Sequence, residues 1–148
     1  MGHHRGVPGE TDLRVLLASL APRRDPRSYV FVTMPVAPPD VDTVATVHEE
    51  EGVTLVVEQR TADEHGWGYG STMARITLTV HSALEAVGLT AAVASALARA
   101  GISANMVAGY HHDHVFVPEC DAAAAVAVLA ALSAESSLPS GDGSSSRP

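Results

Sequence analysis

Residues 76–90 read Ile76-Thr77-Leu78-Thr79-Val80-His81-Ser82-Ala83-Leu84-Glu85-Ala86-Val87-Gly88-Leu89-Thr90, and the period of the apolar residues changes within them. Ile76, Leu78 and Val80 alternate with Thr77, Thr79 and His81, the mark of a strand with one buried and one polar face. Ser82 and Glu85 then have the spacing of a capping box, in which a side chain at each end satisfies a free backbone donor. From Val87 to Ala100 the chain is alanine-rich, with Leu89, Val93 and Leu97 on one side, and Gly101 followed by Ile102 ends that helix. Asn105 to Tyr110 predicts a strand, His111-His112-Asp113 a turn, and His114 to Val117 the return strand. Pro118 ends it, Asp121 is expected to cap the last helix, and Val126, Leu129 and Leu132 form that helix's apolar side.

Working back from this segment, Leu13, Leu16, Leu17 and Leu20 form one helical stripe, capped by Thr11 or Asp12 and stopped by Pro22. Tyr29 to Thr33 is a strand, broken by Pro35, Pro38 and Pro39. Val44 to His48 and Val53 to Glu58 form a hairpin across Glu50-Glu51-Gly52, and Thr61 to His65 a short helix. Residues 73–134 therefore run β-α-β-β-α, most of a split βαβ unit, and the missing last strand can come from the first half. The expected fold is α+β: a ferredoxin-like antiparallel sheet with helices on one face, built from halves at 11–72 and 73–135 that share a core. Residues 1–10 and the Ser/Gly-rich 136–148 read as disordered tails.

Of 148 residues, 46% are hydrophobic and 18% charged, enough apolar material for a core. The formal net charge is −8, from 17 acids against 9 bases, and all the bases are arginine. An acidic chain without a basic stripe argues against nucleic acid or an anionic membrane as partner. No apolar run approaches the roughly 20 residues of a membrane span. The first ten residues lack the apolar core of a signal peptide, so a cytoplasmic location is expected. A single cysteine, Cys120, rules out an intrachain disulfide and is expected to be buried as a small apolar group.

The stretch 76–90 resembles one branch of the ACT-domain family, small regulatory modules that bind amino acids in metabolic enzymes. Glu51-Gly52-Val53-Thr54-Leu55-Val56-Val57, Ala100-Gly101-Ile102-Ser103-Ala104-Asn105 and His112-Asp113-His114-Val115-Phe116-Val117-Pro118 also fit that branch, whose members are stand-alone tandem ACT-like units. The resemblance covers about 12–134. It implies a ligand in the loop between the first strand and first helix of the second half. Here that loop is His81 to Thr90, with Gly88 at the position of the ACT-type glycine. Independently, a helix start offers unpaired N–H groups and partial positive charge to a carboxylate. The expected ligand site is therefore His81, Ser82, Glu85, Val87, Gly88, Leu89 and Thr90, with Glu85, Asn105 or Asp113 as acceptor for an ammonium group and Asn105 expected to return beside the same loop.

The expected function is a non-catalytic sensor or regulator for an amino acid or similar zwitterion, acting as a homodimer because an open sheet leaves edges to cover. No cofactor is expected; no nucleophile elbow, P-loop, HExxH or CxxC occurs. Two alternatives stand beside it. One is a small metal-dependent enzyme using His111, His112, Asp113 and His114, with His112 and His114 as ligands, although strand alternation lets at most two of these share a face. The other is a structural interaction module. Trp67 and Tyr69, in the loop Gly66-Trp67-Gly68-Tyr69-Gly70, could form a lid over a ligand, fill an interface or lie exposed.

Overall fold

The computed structural model describes residues 12–80 and 86–139. In chain order they form α1 (Leu13–Ala18), β1 (Pro22–Met34), β2 (Ala45–Glu49), β3 (Gly52–Glu58), α2 (Gln59–His65), β4 (Met73–Leu78), α3 (Leu89–Arg99), β5 (Asn105–Ala108), β6 (Asp113–Pro118) and α4 (Ala122–Ser136). The strands make one six-stranded antiparallel sheet in the order β2-β3-β1-β4-β6-β5.

That order explains how two incomplete halves finish each other. β1 pairs with β3 through residues 29–34 and with β4 through residues 22–29. It is the first strand of its own half and the missing fourth strand of the other, while β4 does the reverse. Such double duty needs a long strand, and β1 has 13 residues. Two prolines sit in it, which is why only its apolar end reads as a strand in the sequence. Pro22 is its first residue and Pro26 falls in a register break between Arg24 and Ser28, two places where a missing N–H costs no ladder bond. Asp25 shapes the break by accepting from the Arg27 backbone N–H at 2.9 Å. Between β1 and β2 the first half has no helix; Pro35, Pro38 and Pro39 exclude one, and a loop crosses there instead.

Alternation sends Val30, Val32, Ala74, Ile76, Leu78, Val115 and Val117 to the helix-bearing face. α1, α3 and α4 cover its second-half portion, burying Leu16, Leu20, Leu89, Val93, Leu97 and Leu129. α2 covers the first-half portion over Val30, Val53, Leu55 and Val57. Trp67 and Tyr69 pack partly buried against that same cluster, so they are core edges there. Tyr69 Oη donates to Asp63 at 2.7 Å.

Three local expectations change. The Asp12 side chain does cap α1, accepting from Arg14 and Val15 N–H, but α4 has no side-chain cap. Asp121 ends a 3₁₀ turn, Glu119–Asp121, that leads directly into α4, and its backbone is already helical, so its carboxylate does not reach the first-turn donors. Cys120, in that turn, is exposed rather than buried. α3 begins at Leu89, with Gly88 as its cap residue; the Ser82–Glu85 pair lies outside the described residues.

Candidate functional site

α3 starts where β4 ends, across a loop whose residues 86–88 are described. Gly88 caps it at φ 95°, a left-handed value that favours glycine. Ala92 N–H closes the first turn onto Gly88 O at 2.9 Å. The N–H groups of Leu89, Thr90 and Ala91 precede that bond and have no intrahelical partner, and among the described residues no side chain caps them. Thr90 is exposed, Leu89 is buried in the core, and Val87 stands 84% exposed at the mouth of the loop.

The turn between β5 and β6 lies at the same end of the sheet. Asp113 pairs with Leu78 on one side and Ala108 on the other, so its side chain shares the helix-bearing face with Leu78. Burial pushes the half-buried Asp113 carboxyl above its ordinary value, opposed only by the charge of His112, and among the described residues no ion pair reaches it. His112 brings its Nδ1 to 3.3 Å from the Val80 carbonyl, tying this turn to the loop after β4. Gly109 N–H donates to His112 O at 2.9 Å, and a β-carbon on Gly109 would stand 2.7 Å from that oxygen.

The expected site residues therefore divide. Val87, Gly88, Leu89 and Thr90 lie just before and in the first turn of α3, and Asp113 stands beside Leu78 at the end of β4. Asn105 does not join them: it pairs with Phe116 on the helix-free face, at the far end of β5 from the loop. A helix that descends from the loop must be followed by a strand whose first residue is at the bottom and whose last is at the top. His81, Ser82 and Glu85 lie outside the described residues.

The histidines also separate. His112 turns to Val80, while His114, one strand step beyond Asp113, faces the helix-free side. Its Nδ1 accepts from Thr77 Oγ1 at 3.0 Å and from the Arg75 guanidinium at 3.3 Å. Burial above all, then the charges of Arg75 and His112, hold its pKa down to about 4. A nitrogen facing a guanidinium is poorly placed for a cation. Among the described residues no group of three or more His, Cys, Asp or Glu could hold a metal ion.

The helix-free face carries a cluster whose partners are far apart in the sequence. Tyr29, Phe31 and Phe116 meet edge to face, with ring centres 5.8 and 5.6 Å apart. Arg27 and Arg75 both lie over the Tyr29 ring, at 5.7 and 5.8 Å from its centre. Asp25 accepts from Tyr29 Oη and from Arg27, whose guanidinium holds this carboxyl well below the usual carboxylate range. Arg27 also donates to Glu58 at 2.7 Å. The available signal was an arginine at a polar position of a central strand, but its partners become visible only through the register. Three surface depressions, of about 550, 330 and 370 Å³, gather around Arg27, away from the start of α3.

Two family profiles, both describing an ACT domain, match residues 8–74 and 74–131. A protein of unknown function from Vibrio cholerae, described as a possible transport protein, is 44% identical over 83% of this chain and 97% of its own, with a TM-score of 0.75. A protein from Agrobacterium tumefaciens is 18% identical over 72% of this chain and 84% of its own (TM-score 0.59). The ligand-free regulatory subunit of aspartate kinase from Thermus thermophilus is 13% identical over 77% of this chain and 98% of its own (TM-score 0.55). These last two share the fold. No curated protein matches the chain. No helix among the described residues is long and apolar enough to cross a membrane.

Proposed function

Because the chain belongs to the ACT-domain family, as two such domains in tandem, we propose that it is a non-catalytic regulatory protein that binds an amino acid or similar small zwitterion at the start of α3. One juxtaposition carries this reading. The N–H groups of Leu89, Thr90 and Ala91, uncapped among the described residues, and the half-buried carboxyl of Asp113 lie toward the end of the sheet where β4 finishes, on its helix-bearing side. The N–H groups and the helix dipole suit a carboxylate. Asp113, raised by burial and offset only by the charge of His112, suits an ammonium. Val87 stands at the entrance, and His81, Ser82 and Glu85 belong to the proposed site by their place in the loop.

A sensor of this kind works by binding alone, so it needs a second state or a partner to report to. Among the described residues β2 and β5 are the outer strands of the sheet, and we place the homodimer contact there. The test is a thermal-shift screen with the twenty amino acids, hits being confirmed by titration calorimetry. A ligand at 100 times its Kd stabilises the folded chain by about 2.7 kcal/mol, several degrees for a domain of this size. A saturable hit supports the proposal; no hit at millimolar concentrations contradicts it.

A further inference from the structure

Each described arginine except Arg75 is exposed. Arg24, Arg27 and Arg60 are held by carboxylates, whereas the contacts of half-buried Arg75 are the Tyr29 ring and the neutral His114 imidazole. Partly burying a guanidinium without a counter-ion is costly, and the register places this one on the helix-free face of a central strand, opposite Phe116. It opens on the depression of about 330 Å³, at the small end of the usual 300–1,000 Å³ range for ligand pockets. Tyr29, Arg27 and Glu58 line it from β1 and β3, and Asp42, Thr43 and Val44 form its loop wall. That wall is the loop standing in for the missing helix, pinned by Val44 N–H donating to Val56 O at 2.8 Å.

The charges decide what fits. Arg27 is shared between Asp25 and Glu58, so it is not free for a ligand. Arg75 has no carboxylate, and Asp42 has no ion-pair partner among the described residues. One spare cation and one spare anion line the same small space. Phosphate or a dicarboxylate would meet Asp42 and Glu58 as well as Arg75, and like charges disfavour it. We propose that this depression is a second subsite for a small α-amino acid, Arg75 holding its carboxylate as a two-pronged donor and Asp42 its ammonium group. The inference rests on the small-zwitterion reading above but assigns a different place on the opposite face of the sheet.

The test follows the Arg75 Nε–Hε NMR resonance and the amides of Leu89, Thr90 and Ala91 during titration with the twenty amino acids. The expected result is a saturable Arg75 shift with at least one of them, its midpoint raised about tenfold by Asp42→Asn, a change in an exposed loop that leaves the sheet intact. An Arg75 signal that stays still while the α3 amides move overturns this inference and leaves the first site standing. An Arg75 shift with silent α3 amides supports this site and overturns that one. Silence at both overturns both. If Arg75 shifts but Asp42→Asn leaves its midpoint unchanged, the proposed pairing is wrong.

Discussion

Leu13 of α1 closes over Gly88 at the start of α3: a β-carbon on Gly88 would stand 3.1 Å from Leu13 Cδ2. The first helix of the chain thus packs directly on the glycine that caps a helix of the second half. Gly88→Ala adds a left-handed strain of about 1–2 kcal/mol to this tight contact. Urea unfolding should show a loss of that order. Leu13→Ala in the Gly88→Ala background should cost less than Leu13→Ala alone, because it relieves the contact. Full additivity would mean that α1 does not press on this cap.

Asp113 trades stability for binding in this account. Its folded pKa lies above its unfolded value, so the folded state holds the proton more tightly, and stability falls as pH rises through that interval. Asp113→Asn should therefore raise the Tm at pH 7 and remove that fall. The same change should weaken amino-acid affinity about tenfold, or 1.4 kcal/mol. A variant that is more stable with unchanged affinity would remove Asp113 from the site.

His114 gives the opposite slope. Its folded pKa of about 4 lies below its ordinary 6.5, so the unfolded chain binds the extra proton. Stability should rise as pH climbs from about 4 to about 6.5 and be lost on the way down. Arg75, Thr77 and His112 set the surroundings of this ring. His114→Gln should flatten that part of the profile in chemical unfolding at stepped pH. An unchanged slope would place the titration elsewhere.

Gly109 separates packing from chemistry near the same turn. Gly109→Ala drives a β-carbon against the His112 carbonyl oxygen at 2.7 Å and against the His114 ring. A destabilisation of about 1–3 kcal/mol is expected, with the β5–β6 amides losing hydrogen-exchange protection first. Wild-type protection across this hairpin would show that the turn can move aside.

Much of this architecture was legible in local pattern. The alternation of Ile76 and Leu78, the stripe of Leu13, Leu16 and Leu20, and the Glu50-Glu51-Gly52 turn each specify an element through period or turn chemistry alone. What escaped needed partners distant in the chain. Pro22 and Pro26 disguise the first part of β1, since only pairing with β4 shows that one begins the strand and the other sits in a register break. Arg75 reads as an ordinary polar strand residue until the register sets it beside Tyr29 and His114. Asn105 follows α3 closely in sequence, yet the return direction of β5 carries it away from the loop. Asp121 has the right residue type for a cap, and only the preceding 3₁₀ turn removes that role.

The dimer expectation concerns the outer strands. Light scattering behind size exclusion should give twice the chain mass at tens of micromolar, a range in which a weak dimer is populated. Val47 is 51% exposed on edge strand β2, and Val47→Glu should shift the chain toward monomer if that edge is the contact. A monomer in the wild type would contradict the edge pairing.

Docking of a small zwitterion at the start of α3 is what makes this chain a sensor in the proposed function. The direct measurement is an amide NMR titration with the best amino acid from the thermal screen, following Leu89, Thr90 and Ala91. Saturable shifts at these amides, with a midpoint matching calorimetry and about tenfold weaker in Asp113→Asn, are the predicted result. Binding that leaves all three amides unmoved would contradict the claim.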